Sequence, residues 1–264
     1  KIFFFLKLRK KNYHLISALD GKKRSIYFSI FISSKIKVLM TTKILFKKVL
    51  KIFFTKIYYF NQSKNKIEEI KDVLKLCKMN LGEKDINYLE NYNMNNNIIN
   101  LTSNYINFHF DEKWIYDQYI KKYQSIQPSI NEFELLMNKL VEKSNKNLVI
   151  TTGQRNNKII TEYLINCNKI NENLFEKKSN GKIIQIFVNL DFFDLKFIIK
   201  HSNYIITCHG AATHLASALN IKIYDIFDKS QEIFYKKWNG HMKNYHFFYR
   251  ENFKNLSEKL LNIL

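Results

Sequence analysis

Along the second half of the chain, short apolar runs alternate with longer stretches in which apolar residues recur every three or four positions. The runs are Tyr105–Phe110, Asn147–Thr152, Lys182–Phe187, Tyr204–Cys208, Lys222–Phe227 and Tyr245–Tyr249. Stretches of helical periodicity cover Ile130–Ser144, Asn156–Asn168, Phe192–His201, Thr213–Leu219 and Asn252–Leu264. Strands alternating with helices mark βαβ crossovers, which force a parallel sheet with helices on both faces. This half predicts a doubly wound Rossmann-like domain. Such domains bind ligands beyond the C-terminal ends of their strands, where strand order reverses, so functional residues are expected just after strands.

The first hundred residues are less regular. Tyr13–Leu19 reads as a strand stopped by the Asp20-Gly21 turn, Ser25–Ser33 as a short helix and Ile36–Met40 as a second strand, together a β-α-β unit. From Ile44 to Phe60 apolar residues are interrupted by Lys47, Lys48, Lys51 and Lys56; this reads as one helix with snorkelling lysines, or as a segment lying on a membrane surface. Ile67, Ile70, Val73, Leu74 and Cys77 lie on one face of an amphipathic helix ending near Asn80–Gly82. The asparagine-rich stretch Asn91–Asn100 has few core-forming residues and reads as a linker, which gives domains over 1–100 and 101–264.

Composition narrows the class. With 264 residues, 46% of them hydrophobic and 15% aromatic, the chain can bury a sizeable core and is not a disordered basic tail. One proline and six glycines leave too few turn formers for a loop-rich all-β architecture. The formal net charge of +20 attracts phosphates, nucleotide-linked substrates and anionic lipid headgroups, although lysine is abundant everywhere along the chain. Cys77, Cys167 and Cys208 show no CxxC spacing, so neither a disulfide framework nor a metal site is expected, and a cytoplasmic protein fits best. Ile2–Leu6 and the lysine-broken Ile44–Phe60 fall short of the roughly 20 apolar residues a membrane span needs. The start at Lys1, with no small-residue cleavage site after Leu6, reads as truncated rather than as a signal peptide.

The segment Cys208-His-Gly-Ala-Ala-Thr-His-Leu-Ala-Ser-Ala-Leu219 carries the most chemistry. A strand ends at Cys208, Gly210 permits a tight turn, and small residues open a helix. Leading amides left open by small side chains make an anion site for a phosphate or pyrophosphate. Thr213 would cap the helix or donate its hydroxyl to the anion, while His209 and His214 flank the turn, with His214 expected to face the sheet. Arg155, in the Thr152-Gly-Gln-Arg155 turn, is a second phosphate candidate because a guanidinium can bind bidentately.

The run from Ser202 to Phe227, with His214-Leu-Ala-Ser-Ala-Leu219 at its centre, resembles the donor-site strand–turn–helix–strand of glycosyltransferase family 9, the ADP-heptose lipopolysaccharide heptosyltransferases. Further segments are similar in order: Ala18-Leu-Asp-Gly-Lys-Lys-Arg-Ser25, Lys113-Trp114, Val149-Ile-Thr-Thr-Gly153 and Asn189–Leu195. The resemblance implies an α/β, GT-B-like fold of two Rossmann-like domains with parallel sheets. The N-terminal, acceptor-side domain is expected to be incomplete, because the family's first strand, glycine loop and acidic base would precede Lys1. It implies a metal-independent transferase with a nucleotide-sugar donor resembling ADP-heptose and no other cofactor. Its acceptor would be a lipopolysaccharide-core or other lipid-linked glycan at the inner face of the cell membrane. On the matching positions Gly210, Ala211, Ala212 and Thr213 would meet the diphosphate, His214 would support the turn, Gly153 would end a donor-side strand and Lys113 would offset the charge. His209 stands where the family usually has Asp, so contacts to the sugar or ribose are expected to differ. The catalytic base is not legible; Asp20, Asp111 and Glu112 are the candidate carboxylates.

Two other readings remain. One is a non-catalytic basic Rossmann-like module binding RNA or an anionic membrane surface, with the aromatics of Phe46–Phe60 available for stacking. No nucleic-acid-binding motif accompanies them. The other is a GT-B enzyme using a uridine- or guanosine-diphosphate sugar.

Overall fold

The computed structural model describes residue 8 and residues 11–41, 47–61, 63–82, 100–115, 123–153 and 157–263. The chain forms two compact units, Lys1–Glu83 with Phe234–His241, and Lys84–Ile233 with Met242–Leu264. The sequence reading divides the chain at residue 100 and gives all of 101–264 to the second domain. Here Phe234–His241 joins the first unit and the second opens at Lys84. Residues 91–99 of the expected linker lie outside the described residues.

In the first unit, β1 (Tyr13–Ala18), β2 (Ser34–Thr41) and β3 (Lys56–Tyr59) form a parallel sheet in that order. Helices α1 (Lys23–Phe31) and α2 (Lys47–Phe53) cover one face, packing Ile26, Ile30 and Leu50 against Ala18, Leu39 and Phe54. Helix α3 (Lys66–Leu76) covers the other face, with Val73 against Val38 and Met40. A reciprocal capping box between Asn65 and Glu68 starts α3. The expected β-α-β unit is present. The stretch 44–60 is not one helix, however. The Thr55 hydroxyl accepts from the Lys37 amide and donates to the Lys37 carbonyl, which ties the chain to β2, and the strand-favouring Ile57, Tyr58 and Tyr59 follow.

The second unit holds β4 (Tyr105–Phe110), α4 (Ile130–Ser144), β5 (Asn147–Thr152), α5 (Lys158–Leu164), β6 (Asn168–Lys169), β7 (Leu174–Ser179), β8 (Lys182–Phe187), α6 (Phe192–His201) and β9 (Tyr204–Cys208). These are followed by α7 (Ala211–Ala218), β10 (Lys222–Phe227), β11 (Tyr245–Tyr249) and α9 (Phe253–Leu261). A further helix, α8 (Glu232–Asn239), leads from β10 into the segment counted with the first unit. The sheet order is β11-β10-β9-β4-β5-β8-β7-β6, parallel from β11 to β8. Taken in chain order, the six parallel strands have the doubly wound 3-2-1-4-5-6 arrangement, which reverses between β4 and β9.

All six residues of β4 are buried, as a central strand covered on both faces requires. Ile106, Phe108 and Phe110 face α4 and α9, whereas α6 and α7 pack on the opposite face through Ile198, Ile199, Ala212 and Leu215. The sequence reading does not include the antiparallel hairpin β7–β8, which turns at Asn180-Gly181 with both residues at positive φ. Among the described residues, no helix is long and apolar enough to cross a membrane.

Candidate functional site

On the face of the sheet covered by α6 and α7 the apolar pattern breaks. Asp225 of β10 pairs in register with Thr207 of β9, Thr207 with His109 of β4, and His109 with Thr151 of β5. This row crosses the point where strand order reverses. All four residues are buried, so their polar groups need partners. The His109 Nδ1 lies 2.9 Å from the Thr151 hydroxyl. Asp225 meets three donors: one oxygen accepts from the Thr213 hydroxyl at 2.9 Å, and the other meets His209 Nδ1 at 2.7 Å and the Tyr245 hydroxyl at 2.7 Å.

Above this row, the chain leaves β4 through a single 3-10 turn, Glu112–Trp114. Asp111 caps it by accepting from the Lys113 amide at 3.1 Å. Trp114, fully buried against Phe108 and Phe110, anchors the turn and donates its indole N–H to the His109 carbonyl at 3.0 Å. Arg250, just after β11, donates to the Lys113 carbonyl at 2.9 Å and to the Gln124 carbonyl at 2.9 Å. The turn is thus fixed from both sides.

The Lys113 ammonium pairs with Asp111, whose carboxylate also lies 3.6 Å from His109 Nε2. Burial alone would raise the Asp111 carboxyl; His109 and Lys113 outweigh it and hold the group at about 2. Burial likewise pulls the Lys113 ammonium down, and Asp111, with Glu112, more than offsets this and raises it. The pair is therefore ionised. From Asp111 the Lys113 side chain reaches across Gly210: a Cβ at that glycine would sit 2.7 Å from Lys113 Cε and 2.8 Å from Nζ. Gly153, at the end of β5, is roofed in the same way, with a Cβ there falling 2.9 Å from Glu112 Oε2 and 3.2 Å from Asp111 Cβ. Two glycines just past the strands flanking β4 leave room for one turn.

Gly210 opens α7. Its amide donates to the Thr213 hydroxyl at 3.1 Å, and that hydroxyl donates to Asp225, so Thr213 orders the turn from inside and has no proton to offer an anion. The amides of Ala211, Ala212 and Thr213 come next, in the first turn, where no intrahelical carbonyl can accept them. His214 follows on the same turn. It is half-buried, and its ring stands edge-on to that of His209 with centroids 5.2 Å apart.

Lys113, Gly153, His209, Gly210, Ala211, Ala212, Thr213 and His214, together with Asp111 and Glu112, therefore gather at or beside the reversal point. Arg155 lies outside the described residues. Asp20 belongs to the first unit, where it accepts from the Lys22 amide and the Ser25 hydroxyl and borders a cavity of about 470 Å³ with Ser17, Phe28 and Ser29. Burial acts to raise the Asp20 carboxyl, but these two hydrogen bonds, Lys22 and Arg24 prevail and lower it. Sequence reasoning missed His109, Thr151, Asp225, Tyr245 and Arg250. Asp225 had a legible signal, a carboxylate in the middle of an apolar strand. Among the described residues no group of three or more His, Cys, Asp or Glu is placed to hold a metal ion.

The parallel sheets and the reversal between β4 and β9 define an α/β fold, and solved structures identify it as that of the GT-B glycosyltransferases. E. coli heptosyltransferase WaaC with ADP superposes with a TM-score of 0.65 at 9% identity, covering 100% of this chain and 77% of that one. The E. coli ADP-heptose lps heptosyltransferase II gives 0.59 at 10% identity over 98% of this chain and 78% of that one. A glycosyl transferase family 9 protein from Veillonella parvula gives 0.59 at 12% identity over 96% and 68%. No protein-family profile and no curated protein matches the chain by sequence.

Proposed function

We propose that the chain is a glycosyltransferase that binds a nucleotide-diphosphate sugar at the β4–β9 reversal and moves the sugar, heptose-like, to a lipopolysaccharide-core or other glycan acceptor from the cytoplasmic side of the membrane. The observation that carries this reading is the approach of the ionised Lys113 to the open first turn of α7 across Gly210. A cation and a set of helix-leading amides converging on one point suit a diphosphate. The comparison supports a nucleotide: the heptosyltransferase WaaC of the same fold was solved with ADP.

In this reading the diphosphate leaves the anomeric carbon as an acceptor hydroxyl attacks, and the departing charge is met by Lys113 and the Ala211–Thr213 amides without a metal ion. A base takes the hydroxyl proton. Asp111, held at about 2 and paired with Lys113, is a poor base, and Asp20 is also held low. Glu112, half-buried over Gly153, takes that role in this reading. His209, fixed through Nδ1 by Asp225, turns its other edge to the sugar or ribose.

Calorimetric titration with ADP, UDP and GDP tests the proposal. Binding of one nucleotide in preference to the others, lost in Lys113→Met, is expected and names the donor class. Equal, weak, salt-sensitive binding of all three, unchanged by the substitution, would leave only a general affinity for phosphate and overturn it.

A further inference from the structure

In the first unit α1 and α2 lie side by side on one face of the sheet, with Ile26, Ile30 and Leu50 turned inward. Their outer side is apolar as well. Tyr27 and Phe31, one helical turn apart on α1, are 59% and 60% exposed. Val49, Ile52 and Phe53, at i, i+3 and i+4 on α2, are exposed too, Ile52 to 76%. Single exposed apolar residues are ordinary, but five on one helix layer are not. The described charges beside them are mainly basic: Lys22, Lys23 and Arg24 at the start of α1 and Lys51 on α2 are exposed, with Asp20 the neighbouring carboxylate, and residues 21–60 contain no Asp or Glu in a chain with 23 acidic residues. Lys23 precedes Tyr27 by one turn, which extends the outward stripe with a cation.

We propose that the outer face of the α1–α2 layer docks on an anionic phospholipid bilayer, its aromatic and aliphatic side chains entering the interface and its lysines and arginine meeting the headgroup phosphates. Amphipathic surfaces with one basic rim bind in this way, because apolar burial and attraction to anionic lipid add. A second copy of the chain fits less well, since an isologous contact would set the exposed cations of one face against the same cations of the other. RNA fits less well because Val49 and Ile52 offer no ring for a base to stack on. The surface lies in the unit that does not hold the candidate donor site, so it stands or falls separately from the transferase reading.

The test is flotation of the full chain with vesicles of phosphatidylglycerol and phosphatidylcholine, against vesicles of phosphatidylcholine alone. Binding to the anionic vesicles is expected, weakening as salt is added. A Phe31→Ser, Ile52→Ser double variant is expected to lose about tenfold or more of that affinity with unchanged circular dichroism. A Lys23→Glu, Arg24→Glu variant should lose about as much. Lys254→Glu, on α9, should not change it. Vesicle binding that ignores the α1–α2 substitutions, or that falls equally with Lys254→Glu, would overturn the proposal. So would self-association in the absence of lipid that the same substitutions abolish. As a check independent of whether those variants fold, Phe31→Trp should show a blue-shifted emission increment on adding anionic vesicles; co-flotation without that shift would also overturn it.

Discussion

Lys113 and Gly210, which are 97 positions apart in sequence, occupy what would be the same space if residue 210 had a side chain: a Cβ there would meet Lys113 Cε at 2.7 Å. The glycine is not required by its backbone, which is extended at φ 175°. It is required by the lysine. That closeness joins the turn after β4 to the start of α7 across the point where strand order reverses.

Gly210→Ala should therefore spare the fold and harm binding. The atoms it meets are the flexible end of a lysine, which can swing aside, so the melting temperature should fall by only a few degrees. Nζ would leave the mouth of α7, and nucleotide affinity measured by calorimetry should fall about tenfold.

The Asp111–Lys113 pair sets a dependence on pH. A carboxyl at about 2 in the folded state, below its unfolded value of 3.8, contributes stability that is present above the unfolded value and is lost as pH falls through about 2. The contribution is about 2 kcal/mol at neutral pH. Lys113→Met leaves Asp111 with His109 alone, so the acid limb of stability in urea should move to higher pH.

Asp225 is buried with three donors on two oxygens. Asp225→Asn turns an amide N–H₂ toward at least one of them and should cost about 3 kcal/mol in chemical denaturation. Tyr245→Phe removes one donor and leaves the carboxylate with the other two, at about 1 kcal/mol. Equal costs would show that the three hydrogen bonds do not converge on Asp225.

Arg250 holds the carbonyls of Lys113 and Gln124 with two different nitrogens. Arg250→Lys keeps the charge but cannot reproduce that fork. Nucleotide affinity should drop several-fold, although Arg250 itself is placed on the carbonyl side of the turn, away from the ammonium.

The six parallel strands of the second unit were legible as short, mainly apolar runs between helical stretches, most clearly the inner ones, which are covered on both faces. Strand β7 was not, since Glu176, Lys177 and Lys178 interrupt its apolar pattern. Asn180-Gly181 nevertheless announced its hairpin, as a dipeptide that tolerates positive φ at both residues. Strand β3 was hidden because Ile44–Phe60 mixes lysines and apolar residues at spacings that suit a helix as well as a strand. At the site, Gly210 and the small residues after it were visible as a turn built to leave amides open. Of the two roles open to Thr213, its hydroxyl serves the cap by accepting from the Gly210 amide, and its donation to Asp225 could be assigned only once β9, β10 and α7 were in place. The row Asp225–Thr207–His109–Thr151 depends on strand register, which no local pattern encodes.

The proposed transfer requires a diphosphate on the first turn of α7 beside Lys113. The most direct measurement follows the backbone amides of Ala211, Ala212 and Thr213 by nuclear magnetic resonance, in protein labelled at alanine and threonine, as ADP is added. Large, saturable downfield shifts are expected at these three amides, reduced in Lys113→Met. Saturable nucleotide binding that leaves them unmoved would contradict that placement of the diphosphate.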